Sequence, residues 1–251
     1  MKQVYSIENN QYEWSLDRYF SIAIPFTVQE NQVNAWYVPP IKKEPFKMGD
    51  YVGSIEAGSS VNFFNLTINP HGNGTHTECL GHISEKHESI KDVKIDPFIL
   101  AEIVTINPIR QGEDLVITKD LLENKIACKE VKALIIRTIP NESDKLTFQY
   151  TGTNPAYLSE EAALFLHDLK IDHLLIDLPS VDKENDEGKL LSHKAFWGFH
   201  DKKRHQATIT EMIYVDSSIQ DGLFLLNLQL LPIENDASPS NPLIFPLLKL
   251  S

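Results

Sequence analysis

Cysteine is scarce in this chain and long apolar runs are missing, and each absence excludes a class of protein. The 251 residues include only two cysteines, Cys79 and Cys128, too few for a disulfide framework and not spaced as a zinc knuckle. A reducing cytoplasm is therefore the expected location. The most apolar stretch, 223–233, is short and interrupted by Asn227 and Gln229, so no membrane-spanning helix is predicted. Nor do residues 1–20 combine the basic start and apolar core of a signal peptide.

Basic residues are also in the minority. The chain has 23 lysines and arginines against 35 acidic residues, which gives a formal net charge of -12. An acidic protein repels phosphate backbones and anionic lipid surfaces, so neither nucleic acid nor a membrane is the expected partner. Hydrophobic residues make up 42% of the chain, enough for a sizeable core. No repeat and no Pro/Gly/Ser-rich linker divides the sequence, which predicts one domain over residues 1–251.

Strand-like segments outnumber helical ones. Ser159 predicts a capped helix over 160–169, and a shorter helix is expected to open at Thr118 or Asp120. Surface loops are expected at 38–50, 182–189 and 234–241. Many strands with few flanking helices predict an α/β or α+β fold with a barrel-like sheet. The predicted strands are 20–25, 61–69 (half-buried, with alternating apolar residues), 99–106, 133–139, 173–177, 207–212 and 222–231.

Chemistry-bearing residues are concentrated between His71 and His82, which hold three of the nine histidines and Glu78. His76 and Glu78 are two residues apart, so an extended segment points both to one side. Glu78 and His82 are four apart, so a helical turn brings them together. Imidazole with carboxylate suits Zn²⁺ or Mn²⁺ better than Ca²⁺. Any one of these residues alone is more simply a polar surface side chain, whereas their combination in a glycine-bearing loop favours a metal site.

The segment Gly74-Thr-His76-Thr-Glu78-Cys-Leu-Gly-His82 resembles the H-x-G-T-H-x-D-x-P-x-H signature of the putative cyclase family, which includes bacterial kynurenine formamidases of tryptophan catabolism. Further similarity follows in the same order along the chain. It covers 21–25, 35–39, 134–138, 157–163, 175–182 and 209–212.

The resemblance implies a fold and an activity. The fold is the family's swivelling β/β/α domain, an α/β fold with a barrel-like mixed sheet. The activity is metal-dependent hydrolysis of a small amide or ester, with an N-formyl aryl amine as the leading substrate. The cofactor is one or two zinc ions, with manganese as an alternative, and the assembly is a homodimer or higher homo-oligomer.

The resemblance also implies roles for single residues. His76 and Glu78 correspond to metal ligands, and His82 corresponds to the proton donor and acceptor. His193 occupies the place of a late histidine ligand, and Glu211 that of the final carboxylate ligand. The last correspondence places Trp36 in the substrate pocket.

Several positions depart from the family pattern. Gly72 stands where the family has its first histidine, so His71 binds metal only if the loop bulges. Glu78 replaces an aspartate, which moves the carboxylate outward by one methylene, and Leu80 replaces a proline. An apparent insertion, 199–206, contains His205 and also His200, which is a rival to His193 as the late ligand.

Three other hypotheses remain open from the sequence. Cys79 lies inside the motif and is a candidate nucleophile, although free cysteines are more often small buried residues. A non-catalytic protein that binds metal or a small molecule is the second hypothesis, because the first histidine is missing. A metal-free cyclase or lyase that uses acid and base residues alone is the third.

Overall fold

The computed structural model describes residues 2–29 and 31–250. The strands are β1 (Lys2–Ile7), β2 (Asn10–Ser15), β3 (Phe20–Ser21), β4 (Lys42–Pro45), β5 (Lys47–Met48), β6 (Tyr51–Val52), β7 (Phe64–Thr67), β8 (His76–Glu78), β9 (Ile99–Ile106), β10 (Ile109–Gln111), β11 (Asp114–Ile117), β12 (Ala133–Thr138), β13 (Tyr157–Leu158), β14 (His173–Ile176), β15 (Thr208–Glu211), β16 (Gly222–Leu230), β17 (Ala237–Pro246) and β18 (Leu248–Lys249). The α-helices are α1 (Pro70–Asn73), α2 (Lys119–Glu123), α3 (Glu160–Asp168) and α4 (Leu191–Phe196). Short 3-10 helices span Ile55–Ala57, Leu80–His82, Ile90–Asp92 and Ser143–Leu146.

Seven strands form a closed, barrel-like sheet. Their order is β16-β9-β12-β14-β15-β8-β17, and β17 pairs again with β16 to close it. The pairs β9–β12, β12–β14 and β14–β15 are parallel, whereas β8, β16 and β17 run antiparallel to their neighbours. The mixed sheet with few helices confirms the predicted α/β fold with a barrel-like sheet.

The central strands are apolar on both faces, as continuous apolar runs predict. In β12, Leu134 and Ile136 belong to the apolar cluster that includes Leu122 of α2, Leu166 of α3 and Phe196 of α4. The alternate residues, such as Ile135, pack in a second cluster with apolar residues of β9, β14, β16 and β17 inside the closed sheet. Burial on both faces fixes the register of these strands, and therefore fixes where their ends deliver polar side chains.

Most of the predicted elements are present. β9 has the predicted bounds, and β12, β14, β15 and β16 lie within one residue of theirs at each end. The Ser159 hydroxyl caps α3 by accepting a hydrogen bond from Ala162 N at 3.2 Å, and α2 begins after Thr118. Residues 182–189 lie outside every helix and strand of the part of the chain that the structure describes, as predicted.

Four local predictions are wrong. The predicted strand 20–25 is shortened to Phe20–Ser21. β7 replaces the half-buried strand predicted at 61–69: it pairs only with β4, outside the barrel, and its Leu66 is 63% exposed. The predicted loop 38–50 contains β4 and β5. The predicted loop 234–241 contains the start of β17. Its prolines argue against a strand, but pairing with β8 and β16 closes the sheet and keeps this segment extended.

His173 is a satisfied core residue at the start of β14. It is 7% exposed, and its Nδ1 lies 2.9 Å from the Thr208 hydroxyl. Burial lowers the pKa of His173 to about 4, because the charged form loses hydration. The unfolded chain therefore takes up this proton near pH 6.5, well before the folded chain does.

This difference predicts a loss of stability in acid. His173 makes no pH-dependent contribution above about pH 6.5, and its contribution to the free energy of unfolding falls by about 2 kcal/mol by pH 5. Urea unfolding of the wild type and of His173→Asn at pH 7 and pH 5 gives the loss of unfolding free energy between the two pH values for each protein. The wild type is expected to lose more than the variant by this amount. Equal losses would contradict a neutral, buried imidazole.

Within residues 2–29 and 31–250, no helix is both long and apolar enough to cross a bilayer.

Candidate metal centre

β8 carries the two residues at the centre of the cluster. His76 and Glu78 are both 0% exposed, and their side chains point to the same side of this three-residue strand, as their spacing predicts. β8 lies between β15 and β17, with Glu211 opposite His76 and Ala237 opposite Glu78. The closure of the barrel therefore places the motif next to residues from far along the chain.

Glu211 and His193 come from β15 and α4, and both reach the motif. Glu211 Oε2 lies 3.4 Å from His76 Nε2. His193 Nε2 lies 2.9 Å from Glu78 Oε1 and 3.8 Å from Glu211 Oε1. The predicted proximity of the late histidine and late carboxylate to His76 and Glu78 is thus present.

The one-turn helix α1 brings His71 into the same cluster. Its Nδ1 lies 3.4 Å from Glu78 Oε2, and its ring centroid lies 5.1 Å from that of His76. A side chain at position 72 would not point into the cluster. Its Cβ would lie 2.7 Å from Ala35 O and closer still to Val38 Cγ2. In this chain position 72 has no room for a side chain, and the neighbouring His71 faces the cluster instead.

His82 closes the cluster on its exposed side. The 3-10 helix Leu80–His82 directs its Nε2 to within 3.7 Å of Glu78 Oε2, and the side chain is 30% exposed. Asp236, just before β17, was not selected from the sequence. Its Oδ2 lies 2.9 Å from His71 Nε2 and 3.0 Å from His82 Nδ1. No local sequence signal marks this aspartate, since only the closure of the sheet brings it to the motif.

The four imidazoles share one arrangement, in which the outward nitrogen is held by an oxygen and the inward nitrogen faces a carboxylate of Glu78 or Glu211. The outward partners are Asp236 for His71 and His82, Gly74 O for His76 at 3.1 Å, and Asp182 for His193 at 2.6 Å. Asp182 also accepts hydrogen bonds from the backbone N–H groups of Ser192 and His193, so it caps the first turn of α4. Imidazoles anchored in this way present a lone pair inward, as metal-binding histidines do.

Two buried atoms of the cluster are unsatisfied by protein. His76 Nε2 and Glu78 Oε2 have no hydrogen-bond partner among the residues that the structure describes. Buried polar atoms normally have hydrogen-bond partners. Two buried atoms that lack one where the imidazoles and carboxylates converge fit a cation site. The nitrogen and carboxylate donors suit zinc or manganese. Three-residue sets with closely spaced ligand atoms include His71, His76 and Glu78, and also Glu78, His82 and His193.

The charges of the cluster stabilise one another. Burial alone raises the pKa of Glu78, but the positive charges of His82 and His193 bring it well below its usual range. Burial alone lowers the pKa of His71, whereas its hydrogen bond to Asp236 and the nearby Glu78 carboxylate raise it to about 10. Burial likewise lowers the pKa of His193, but the carboxylates of Glu78, Asp182 and Glu211 raise it well above its usual range.

Other candidate residues lie away from the cluster. His200 is exposed and contacts the Phe199 ring edge to face, and the 53% exposed side chain of His205 faces Glu88 at 3.6 Å. Neither belongs to a described metal-binding set. Burial raises the pKa of the Cys79 thiol to about 11, and its Sγ donates to Glu88 O. A buried, protonated thiol is a poor nucleophile.

Trp36 is connected to the cluster through its packing and through its neighbour in the chain. It packs against a small apolar group that contains Ile24, Tyr150 and Met212, the residue after Glu211. Its neighbour Ala35 donates a backbone hydrogen bond of 3.1 Å to Gly72 O. The turn that carries Trp36 is therefore attached to the helix that carries His71.

Known proteins with similar sequences cover most of this chain. A kynurenine formamidase from Bacillus mycoides (strain KBAB4) is 27% identical over 195 residues, which cover 77% of this chain and 85% of the relative. The kynurenine formamidase from Bacillus anthracis is 26% identical over 195 residues, 77% of this chain and 85% of the relative.

Solved structures share the fold. A predicted metal-dependent hydrolase from Bacillus stearothermophilus superposes with a TM-score of 0.64 at 17% identity, covering 91% of this chain and 98% of that one. Isatin hydrolase A from Labrenzia aggregata gives a TM-score of 0.62 at 15% identity, covering 91% and 93%. The family model described as putative cyclase matches residues 15–183. The chain therefore belongs to the putative cyclase family.

Proposed function

We propose that this chain is a metal-dependent hydrolase of a small amide or ester, with an N-formyl aryl amine as the leading substrate class. One observation carries the proposal: four anchored imidazoles converge on the carboxylates of Glu78 and Glu211, and two of the converging atoms have no hydrogen-bond partner among the described residues. The relatives named kynurenine formamidase support hydrolysis of a formamide as the reaction.

The proposed cation ligands are three of the four imidazoles and two carboxylates of the cluster. The imidazoles are those of His71, His76 and His193, and the carboxylates are those of Glu78 and Glu211. The two oxygens of Glu78 face different imidazoles, Oε1 towards His193 and Oε2 towards His71, which suits a carboxylate shared by two ions. A bound divalent cation would supply Lewis acidity, which polarises a carbonyl group and lowers the pKa of bound water to near neutrality.

His82 is the proposed proton carrier. Hydrolysis of a formamide breaks the C–N bond and adds the elements of water, so formate and a free amine are released. The attacking water loses one proton and the leaving nitrogen gains one. A single imidazole can accept the proton from the water and donate it to the nitrogen. His82 suits this role because its Nε2 faces Glu78 while the side chain remains 30% exposed. Of the four imidazoles it is the most open to a substrate.

Trp36 is the proposed contact for the aromatic part of the substrate. Its partly buried ring lies beside Tyr150 and Pro155, and its turn is hydrogen-bonded to the helix of His71. Indole stacks well on an aryl ring. A preference for formanilide over an N-alkyl formamide of similar size would support this contact.

Elemental analysis combined with a formamide assay tests the proposal. The purified protein is expected to contain zinc or manganese and to release formate from formanilide or N-formylkynurenine. A chelator is expected to remove this activity, and added metal to restore it. A metal-bearing protein without turnover would favour the non-catalytic binding protein instead. Activity that survives complete removal of the metal would favour the metal-free cyclase or lyase.

A further inference from the structure

Among the described residues, Asp236 is the charged side chain that contacts two imidazoles of the site without a role in the proposed reaction. A single oxygen, Oδ2, lies 2.9 Å from His71 Nε2 and 3.0 Å from His82 Nδ1. The two rings are neighbours, with centroids 4.5 Å apart. Both contacts involve the outward nitrogens, so Asp236 lies behind the rings as seen from Glu78.

The backbone holds Asp236 in place independently of the imidazoles. Its carbonyl oxygen accepts a hydrogen bond of 3.0 Å from Cys79 N, and on the other side Asn235 O accepts one of 2.8 Å from Ile90 N. The next residue, Ala237, pairs with Glu78 across the β8–β17 ladder. Asp236 is thus fixed to the same sheet that carries the central carboxylate, and it forms a rigid support for two side chains on short helical turns.

We propose that Asp236 is a positioning residue that sets the ring orientation and tautomer of both His71 and His82. An imidazole that donates one N–H to a carboxylate presents the lone pair of its other nitrogen. The presented atom is Nδ1 in His71 and Nε2 in His82, and both face Glu78. One carboxylate therefore orients a metal ligand and the proton carrier together. The inference rests on the proposed function for the roles of the two imidazoles.

This arrangement explains how a displaced histidine serves the site. His71 occupies a position one residue before the family's first histidine, so its ring approaches from a different direction. A ring on a one-turn helix has rotational freedom, and the hydrogen bond to Asp236 removes it. The same oxygen also fixes His82, so loss of Asp236 is expected to affect cation binding and proton transfer at once.

The substitution Asp236→Asn tests the inference, because it keeps the shape of the side chain and removes its charge. The affinity for Zn²⁺, measured by competition with a chelator, is expected to fall by about 10- to 100-fold. Hydrolysis is expected to lose kcat with little change in KM. Glu234→Gln is the matched control: it removes a charge two residues away, from a side chain that is 82% exposed and faces Lys91, and it is expected to change neither value.

A second measurement requires no variant and no substrate. In ¹⁵N-histidine NMR spectra of the Zn²⁺-loaded wild type, His71 is expected to carry its proton on Nε2 and His82 on Nδ1. The opposite tautomers would overturn the inference, and so would unchanged Zn²⁺ affinity in Asp236→Asn. Loss of one bound ion per chain in that variant would instead make Asp236 a ligand. A wild type that binds Zn²⁺ but releases no formate contradicts the proposed function alone, since the spectra still decide the role of Asp236.

Discussion

Replacing Glu78 with glutamine is expected to remove the bound cation and to lower kcat/KM for formamide hydrolysis by about a thousandfold. Glu78 is fully buried, and its two oxygens face His71, His82 and His193 at 2.9 to 3.7 Å. Glutamine has nearly the same size but carries no charge. Its NH₂ group would point an N–H donor at the imidazole nitrogens that are proposed to bind the cation. A neutral amide is a weak ligand for zinc, so the centre of the cluster is lost.

The variant is expected to fold, because glutamine fills the same space and His71 and His193 keep Asp236, Asp182 and Glu211 as carboxylate partners, so no buried charge is left unpaired. Elemental analysis and steady-state release of formate measure the two expected losses. Glu85→Gln, an exposed glutamate seven residues further along, is the control for the loss of a charge near the motif. Full metal content and turnover in Glu78→Gln would contradict the proposed function.

Local sequence patterns predicted much of the fold, because the barrel strands are buried on both faces. The apolar runs at Leu134–Ile136 and Leu174–Ile176 are long enough to identify strands, and Ser159 marks the start of α3 through a single hydroxyl. β17 was missed for an equally physical reason. Its prolines at 239 and 242 argue against a strand when only local propensity is considered, yet Pro239 pairs with His76 of β8 and Pro242 with Leu228 of β16.

The same limit applies to the site. His76, Glu78 and His82 are readable from spacing, since their proximity depends on one strand and one turn. His193 and Glu211 required a resemblance to a family, because no local pattern connects them to the motif. Asp236 required the structure itself: its contact with His71 spans 165 residues and depends on sheet closure. Chemistry that depends on non-local pairing is the part that a single sequence leaves undetermined.

Gly72→Ala is expected to destabilise the fold by about 2 kcal/mol and to weaken Zn²⁺ binding. The added Cβ would lie 2.7 Å from the backbone oxygen of Ala35 and would overlap the side chain of Val38. Because Ala35 N also donates to Gly72 O, the turn at 35–38 and helix α1 must separate. That movement shifts His71 away from Glu78. Urea unfolding and Zn²⁺ competition measure the two effects.

Gly72→His gives the sharper result, because it restores the residue that the family pattern has at this position. If ligand chemistry alone decided the site, this variant would bind Zn²⁺ more tightly than the wild type. Steric overlap predicts the opposite, because the Cβ of the new side chain would overlap the turn at 35–38. The affinity for Zn²⁺ and the free energy of unfolding are therefore both expected to fall. Gly112→Ala is the control for the loss of a glycine without a clash: no atom lies within 4 Å of the added Cβ, but φ is +64°, so a stability loss of about 1 kcal/mol with unchanged Zn²⁺ affinity is expected. Tighter binding by Gly72→His would show that His71 is not the replacement ligand.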